Sequence, residues 1–402
     1  MTQASFSGPF ADPAGSPIRE LFRYLGQPGM ISFAGGYPSP PLLDGDGLAE
    51  ASARAWSDPA ASLQYGPTEG SIELREALAR LSRGRGVMCN AADVLVTTGS
   101  QQAFDILVRI FVEPGDAVVV EAPAYPAAVQ ALRLAGARIL QVPVDVNGLQ
   151  VDALAVLLQS CSAGKRPKLL YTVPTFSNPS GTLLSAARRK ALVALALEYR
   201  FLIIEDDPYG ELYFGAPPPA SLHAIGRELA GELNPVVYLS SLSKTVAPSL
   251  RIGWMVADPD VLRRSVVAKQ TMDLCTSPLA QRVASSYLAM GRYDSAVLRA
   301  RTEYGTRMQA MAAEIDARLQ DKLSYIRPAG GMFIWATVLS QVDPKRLFQA
   351  CVDADVLYVP GGSFFATQPQ LNTMRLSYAA PDVPSIREGV HRLARAFQKL
   401  TE

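Results

Sequence analysis

Short apolar segments rich in β-branched residues alternate with longer amphipathic segments from about residue 70 onward. This alternation is typical of an α/β protein with a mainly parallel sheet, because such strands are buried on both faces and joined by helices. Seven strands are predicted at 94–98, 117–121, 138–142, 169–173, 201–205, 236–240 and 252–256. Helices are predicted near 100–112, 126–135, 151–159 and 185–199. The sheet should therefore extend from about residue 90 to 260.

The pattern changes after this region. A long helical region near 259–320 is followed by shorter strands predicted at 332–336, 356–359 and 374–378, with helices near 344–353 and 384–399. This mixture indicates a second, smaller α+β domain. We divide the chain into an N-terminal arm that belongs to the small domain (1–45), a large domain (46–290) and a C-terminal small domain (291–402).

The first 45 residues are rich in glycine, proline and serine. Residues 35–41 contain three prolines, which remove backbone donors and fix φ, so a regular helix is excluded there. We predict an extended arm.

Composition narrows the class of protein. Hydrophobic residues make up 49% of the 402 residues and charged residues 19%, which excludes a disordered chain. The formal net charge of +1 gives no reason to expect a nucleic acid or an anionic membrane as the partner, so small molecules are favoured. Residues 1–22 lack the pattern of a signal peptide, and no apolar run is long enough to span a membrane. We expect a cytoplasmic protein.

Two clusters of polar residues follow predicted strands, where open α/β sheets bind their ligands. Gly99, Ser100 and Gln101 open a helix whose free N–H groups can bind a phosphate, although serine there also fits an ordinary N-cap. Glu205, Asp206 and Asp207 follow the strand at 201–205. They could bind a metal, form a turn, or place one aspartate against a buried cationic heterocycle; spacing alone does not choose.

A third cluster carries a specific resemblance. Ser241, Ser243, Lys244 and Arg251 lie in one loop between two predicted strands. This segment resembles the Schiff-base lysine signature of the fold-type I aminotransferases that depend on pyridoxal 5′-phosphate (PLP). In that family the lysine binds the cofactor covalently, and the serines and the arginine bind its phosphate. The alternative is a basic surface loop.

Other segments resemble the same family, over residues 18–392. Asn178 begins an Asn-Pro-Ser-Gly turn, and Asp206 with Tyr209 matches the family's Asp-x-x-Tyr. Tyr125 resembles the aromatic residue that stacks on the cofactor ring. Arg375 resembles the arginine that binds the substrate α-carboxylate. The resemblance implies a large domain with a mainly parallel seven-stranded sheet between helices, and a smaller α+β domain.

The resemblance also implies a role for each residue. Lys244 binds the cofactor and then acts as the general base, while Asp206 faces the pyridine nitrogen. Tyr209 and Asn178 donate hydrogen bonds to the phenolic oxygen. The cofactor phosphate is bound by Ser100, Gln101, Ser241, Ser243 and Arg251.

Within the family the chain most resembles the 2-aminoadipate and kynurenine aminotransferase group, on residues 31–38, 63–70 and 359–365. The resemblance implies a homodimer with shared active sites, because Tyr65 resembles the tyrosine that reaches the partner's cofactor phosphate.

In this group the arm forms a mobile helix over the site, and Arg19 matches its arginine. Arg19 would bind a side-chain carboxylate or move away for an apolar substrate. We therefore expect turnover of glutamate or 2-aminoadipate together with large apolar or aromatic amino acids, with 2-oxoglutarate as acceptor. Tyr37 stands beside the substrate-site residue Gly36 where the group usually has leucine, which could narrow the pocket.

Two alternatives remain. The same lysine could support a PLP-dependent lyase, racemase or decarboxylase. A non-catalytic PLP-binding regulatory domain is the other, although the set of Lys244, Asp206 and Arg375 argues against it.

Overall fold

The structure is a computed structural model that describes residues 6–11, 15 and 17–401. In this part of the chain the strands are β1 Ile31–Ser32, β2 Val94–Thr97, β3 Ala117–Ala122, β4 Arg138–Asp145, β5 Gly148–Leu149, β6 Leu169–Thr172, β7 Leu202–Asp206, β8 Val236–Ser241, β9 Gly253–Val256, β10 Leu323–Tyr325, β11 Phe333–Val338, β12 Val356–Leu357, β13 Val359–Pro360 and β14 Thr373–Ser377.

The helices are α1 Gly8–Ala11, α2 Pro17–Glu20, α3 Phe22–Leu25, α4 Gly45–Trp56, α5 Pro59–Leu63, α6 Ile72–Gly84, α7 Ser100–Phe111, α8 Pro126–Leu134, α9 Val151–Ser160, α10 Ala186–Tyr199, α11 Leu222–Ala230, α12 Pro259–Gln270, α13 Pro278–Ala289, α14 Tyr293–Arg318, α15 Pro344–Asp353 and α16 Val383–Thr401. Single 3-10 turns occur at Pro40–Leu42, Ala91–Asp93, Ala163–Lys165, Gly231–Leu233, Leu242–Lys244, Pro248–Leu250 and Gly361–Phe364.

A mainly parallel sheet forms the centre of the large domain, in the order β2-β9-β8-β7-β6-β3-β4-β5. Strands β4, β3, β6, β7 and β8 pair in parallel, and β9 pairs antiparallel with both of its neighbours. The seven predicted strands are confirmed. The eighth, β5, is a two-residue strand that pairs antiparallel with β4, too short to leave a periodic pattern in the sequence.

The inner strands of this sheet are mainly apolar because both faces of the sheet are covered. In β3, Val118 and Val120 pack into one hydrophobic cluster, while Val119 between them packs into another on the opposite face. The second cluster contains apolar residues of α9, α10 and α11. This arrangement leaves the ends of the strands as the accessible part of the sheet.

The C-terminal part of the chain forms an antiparallel sheet in the order β10-β11-β14-β13, next to α14, α15 and α16. The predicted α+β character is confirmed. The strand predicted at 356–359 is instead two short strands, because β12 pairs with β1 and β13 pairs with β14. The three-residue strand β10 was not predicted. The boundaries proposed at residues 45 and 290 stay a prediction.

The prediction of an extended arm is wrong in part. The described arm contains the short helices α1, α2 and α3 and the 3-10 turn at Pro40–Leu42. Proline is compatible with the first turn of a helix, where its missing N–H is not needed, and prolines begin both α2 and this turn. Residues 1–5, 12–14 and 16 of the arm lie outside the described residues.

Nowhere in the described ranges does a helix reach the length and apolarity that crossing a membrane requires.

Close packing of β9 against the start of α7 gives a testable prediction. A Cβ added at Gly253 would lie 2.5 Å from the backbone nitrogen of Ser100 and also too close to the carbonyl carbon of Gly99. Backbone atoms cannot rotate away, so Gly253→Ala should lower the free energy of unfolding by about 1–3 kcal/mol in chemical denaturation.

Gly84→Ala is the matched control, because nothing lies within 4 Å of the added atom at the end of α6. This variant should be unchanged or more stable, by up to about 1 kcal/mol. Equal stability of the two variants would contradict the proposed close packing.

Candidate active site

One cavity of about 610 Å³ opens where the carboxyl ends of the central strands meet. The structure brings together at this cavity the predicted residues Arg19, Gly36, Ser100, Gln101, Tyr125, Asn178, Asp206, Tyr209, Ser241, Ser243, Lys244, Arg251 and Arg375. Tyr65 does not line it and is 78% exposed. The cavity therefore contains every predicted site residue except Tyr65.

The start of α7 and the loop after β8 form a positively charged end of the cavity. Gly99 precedes α7 with φ +84°, and a Cβ there would lie 2.5 Å from Nη2 of Arg251, so only glycine fits. Nη1 of Arg251 lies 3.4 Å from Oγ of Ser243, which accepts a hydrogen bond from Ser241 Oγ at 2.8 Å. A helix N-terminus, hydroxyl groups and a guanidinium together suit a phosphate.

Asp206 places a buried carboxylate at the end of β7. Its Oδ2 accepts a hydrogen bond of 2.8 Å from the Tyr171 hydroxyl, whereas its Oδ1 is buried without a partner. Burial raises the pKa of Asp206 to about 6, and the hydrogen bond from Tyr171 limits this rise. A buried acceptor without a partner calls for a donor, and the protonated ring nitrogen of a pyridine supplies one. The carboxylate thus fits PLP.

Lys244 lies in the 3-10 turn directly after β8. Its Nζ donates a hydrogen bond of 2.8 Å to the carbonyl oxygen of Gly36 in the arm. Burial, with the charges of Arg375 and Arg251, lowers the pKa of Lys244 to about 8. A lysine that loses its proton near neutral pH can serve as a nucleophile and as a base.

Arg375 presents a buried guanidinium from β14. Its Nη1 donates to Oδ1 of Asn178 at 2.7 Å and its Nη2 to the carbonyl oxygen of Ala34 at 2.7 Å. The guanidinium carbon lies 4.4 Å from the centre of the Phe333 ring. Burial lowers the pKa of Arg375 to about 10, and Nε has no partner. A positioned but incompletely paired guanidinium is suited to a carboxylate.

Two tyrosines complete the walls of the cavity. Tyr125 directly precedes α8, and Tyr209 follows β7 with its ring edge-on to Phe333 at 6.0 Å. Burial raises the pKa of both hydroxyls. Both therefore remain protonated and able to donate hydrogen bonds at neutral pH.

The three consecutive acids separate into three environments. Glu205 accepts hydrogen bonds from the N–H groups of Leu222 and His223 in the first turn of α11. Asp206 faces the cavity, and Asp207 accepts a hydrogen bond from Tyr238 on the far side of the segment. Of the alternatives left open by the sequence, the buried aspartate facing a heterocycle fits this geometry. The described residues contain no group of three or more His, Cys, Asp or Glu side chains placed to hold a metal.

Sequence reasoning missed Tyr171, which lines the cavity and holds Asp206. Tyr171 lies within the apolar strand β6 and looks like an ordinary core residue. One sequence signal could have identified Tyr171: it is a polar-tipped residue near the carboxyl end of a predicted strand, and that strand is the neighbour of β7. Ile18 and Gln130 also line the cavity and were not predicted.

A sheet covered on both faces, with a lysine after one strand and a buried carboxylate with one oxygen unpartnered on the neighbouring strand, is the arrangement of a PLP-dependent enzyme of fold type I. The chain belongs to the class I and II aminotransferases, whose family model matches residues 45–393. It is therefore an aminotransferase that depends on PLP.

Several individual proteins are similar over nearly the whole chain. The 2-aminoadipate transaminase of Thermus thermophilus is 40% identical, over 100% of this chain and 99% of that protein. The aromatic-amino-acid aminotransferase 1 of Thermococcus litoralis is 39% identical, over 96% and 92% respectively.

Among solved structures, the α-aminoadipate aminotransferase of Thermus thermophilus in complex with N-(5′-phosphopyridoxyl)-L-leucine aligns with a TM-score of 0.90 and 39% identity, over 98% of each chain.

The buried carboxylate leads to a prediction for the protein freed of cofactor. Burial raises the pKa of Asp206 from 3.8 to about 6, so ionised Asp206 destabilises the folded state. This destabilisation is absent below pH 3.8, develops as the pH rises to about 6 and reaches about 3 kcal/mol above it. Asp206→Asn should therefore be more stable than the parent at pH 7 and equally stable near pH 3.5.

Urea denaturation at both pH values measures this difference. The same variant should bind PLP more weakly than the parent, because a neutral amide replaces the ion pair with the ring. A variant less stable than the parent at pH 7 would contradict the assigned electrostatics.

Proposed function

We propose that this aminotransferase moves the amino group of L-2-aminoadipate, L-glutamate or a large apolar or aromatic L-amino acid to a 2-oxo acid such as 2-oxoglutarate. The observation that carries the proposal is the presence of two arginines at one cavity: Arg375, which is buried, and Arg19, which is exposed. The names of the similar proteins, 2-aminoadipate and aromatic-amino-acid aminotransferases, support the same pair of substrate classes.

PLP, when bound, accepts the electron pair that remains when the substrate α-carbon loses its proton. Lys244 is the residue that we assign to covalent attachment of the cofactor and to proton transfer at the α-carbon. The lowered pKa of about 8 makes its amine available as a base near neutral pH. Its hydrogen bond to Gly36 shows that Nζ can reach the arm side of the cavity.

Asp206 is assigned to the pyridine nitrogen, where its charge favours the protonated ring. Tyr209 and Asn178 are assigned to the phenolic oxygen, and Tyr125 to the face of the ring. Arg375 is assigned to the substrate α-carboxylate, which a guanidinium can bind through two parallel hydrogen bonds. Two such bonds fix the α-carbon relative to Lys244.

The phosphate is assigned to the positively charged end of the cavity. The residues concerned are Ser100, Gln101, Ser241, Ser243 and Arg251. All five residues line one cavity with Gly99, which precedes α7, so we expect one anion to contact them together with the free N–H groups of the first turn of α7.

We further assign to the enzyme a homodimeric state in the cytoplasm, with Tyr65 reaching the partner's phosphate site. Tyr65 is 78% exposed, and Leu63, close to it in the chain, is 65% exposed. Exposed apolar side chains on one segment are typical of a surface that another subunit covers.

Arg19 should determine the use of dicarboxylic substrates. Parent enzyme mixed separately with glutamate, 2-aminoadipate, leucine or phenylalanine should convert its cofactor to the amine form in each case. Arg19→Ala should lose about ten- to a hundredfold in catalytic efficiency for the two dicarboxylic amino acids, since a charge-assisted pair to a carboxylate contributes about 1.5–3 kcal/mol.

Arg23→Ala is the matched control, because Arg23 is exposed on the same arm and does not line the cavity. An equal loss for leucine, or no loss at all, would reject the role of Arg19. A cofactor that is never converted to the amine form would favour a lyase, racemase or decarboxylase instead.

A hybrid dimer tests the sharing of active sites. A dimer of one Tyr65→Phe chain and one Lys244→Ala chain should contain one site with both defects and one with neither, because Tyr65 would serve the partner's site. Its activity per dimer should be about half that of the parent. If instead the sole lysine-containing site showed the Tyr65→Phe defect, Tyr65 would serve its own subunit.

A further inference from the structure

The segment Asp206–Glu211 begins at the last residue of β7. Its acidic residues lie on two opposite sides of the backbone, each facing a different cavity. Asp206 and Tyr209 line the active-site cavity. Asp207 and Glu211 line a second, separate cavity of about 180 Å³. The segment is therefore held from the side that faces away from the proposed cofactor site.

Arg85, the residue after α6, contacts the segment at two points on that second side. Its Nε donates to Oε1 of Glu211 at 2.9 Å, and its Nη1 donates to the carbonyl oxygen of Asp207 at 3.1 Å. The same Nη1 also donates to Tyr238 and Ser240 in β8. One guanidinium thus joins both ends of the segment to the neighbouring strand.

The carboxylate of Asp207 lies close to both Tyr238 and Arg85. Its Oδ2 accepts a hydrogen bond of 3.0 Å from Tyr238 and lies 3.6 Å from Nη1 of Arg85. A Cβ at Gly210 would lie 2.6 Å from both carboxylate oxygens, so the segment can adopt this shape only with glycine there. The conformation of the segment and the position of this carboxylate are therefore linked.

Arg301, from the long helix α14, contacts the same segment from the other direction. Its Nη2 lies 2.6 Å from Oε2 of Glu211, its Nε donates to the carbonyl oxygen of Glu211, and its guanidinium stacks on Tyr213 at 3.7 Å. Arg85 and Arg301 therefore bind the two oxygens of a single carboxylate.

Burial makes these contacts costly to break. The side chains of Arg85 and Asp207 are each only 8% exposed. Removal of one partner from a buried ion pair leaves the other charge without compensation, and the surrounding backbone then has to move or the charge has to be neutralised. Here that backbone carries Asp206 and Tyr209.

We propose that Arg85 is a positioning residue for the cofactor: by holding the Asp207 carbonyl and the Glu211 carboxylate, it fixes Asp206 and Tyr209 against the cofactor ring. The proposal rests on the site assignment made above. Arg85 itself does not line the cofactor cavity, so its effect passes through the segment that it holds.

The test uses the full-length holoenzyme and three readouts: the PLP dissociation constant, the visible circular dichroism per bound cofactor, and kcat and KM with glutamate. Arg85→Gln should weaken PLP binding at least tenfold, reduce the dichroism signal and lower kcat, with the KM for glutamate within twofold of the parent. Arg83→Gln, two residues earlier at an exposed side chain that donates a hydrogen bond to the carbonyl of Cys89, is the matched control and should match the parent.

Two further variants separate positioning from general stability. Arg85→Lys keeps the positive charge but loses the planar guanidinium with its several N–H donors. Its loss of PLP affinity should therefore be smaller than that of Arg85→Gln. The double variant Arg85→Gln/Asp207→Asn removes both charges and should recover at least threefold in PLP affinity over Arg85→Gln. If Arg85→Gln does not fold, Arg85→Lys carries the test, with an altered dichroism signal expected.

A fall in thermal stability with unchanged dichroism and PLP affinity would overturn the proposal, as would a double variant no better than Arg85→Gln. Asp206→Asn shows whether a negative result concerns Arg85 alone or the whole assignment of the cofactor site. If Asp206→Asn weakens PLP binding and Arg85→Gln does not, only the inference about Arg85 fails. If neither weakens it, the site assignment fails as well.

Discussion

The active site depends on a cavity in which positively charged side chains outnumber carboxylates. Lys244, Arg251 and Arg375 line the same cavity as a single carboxylate, that of Asp206. The pKa values of Asp206, Lys244 and Arg375 are all displaced toward the neutral form by burial. In the site that we propose, the phosphate of PLP and the carboxylate of the substrate would supply the negative charge that this arrangement lacks. The positive charge of the cavity would then be compensated only when both groups are bound. This compensation is a physical basis for tight cofactor binding.

The fold makes this arrangement possible because parallel strands bring their carboxyl ends to one edge. Asp206 ends β7, Lys244 follows β8 and Arg251 precedes β9, so neighbouring strands place them side by side. Gly253 lets β9 approach the start of α7 closely, at the positively charged end of the cavity. Arg375 comes from the small sheet, and its bond to Asn178 joins that sheet to the central one.

The fold and most of the site could be predicted because the information lies in short contiguous segments. Lys244 directly follows Ser243, and most of the seven strands are mainly apolar. Tyr171 and Arg85 could not be found this way, since their roles arise from pairing between strands and from a contact across 122 residues to the Asp207 carbonyl. The helices of the arm were missed because single helical turns have no periodicity. The role of Tyr65 concerns a second chain and stays a prediction.

The pairing of β1 with β12 has a consequence for synthesis of the chain on the ribosome. Phe33 donates its backbone N–H to Leu357 and accepts that of Ser377, so the arm that carries Gly36 is held by residues that are synthesised after the central sheet. The central sheet can form earlier, because its strands lie within residues 94–256. The nascent protein should therefore pass through a stage with a formed sheet and an open site, and the arm can close the site only after residues 356–377 have left the ribosome.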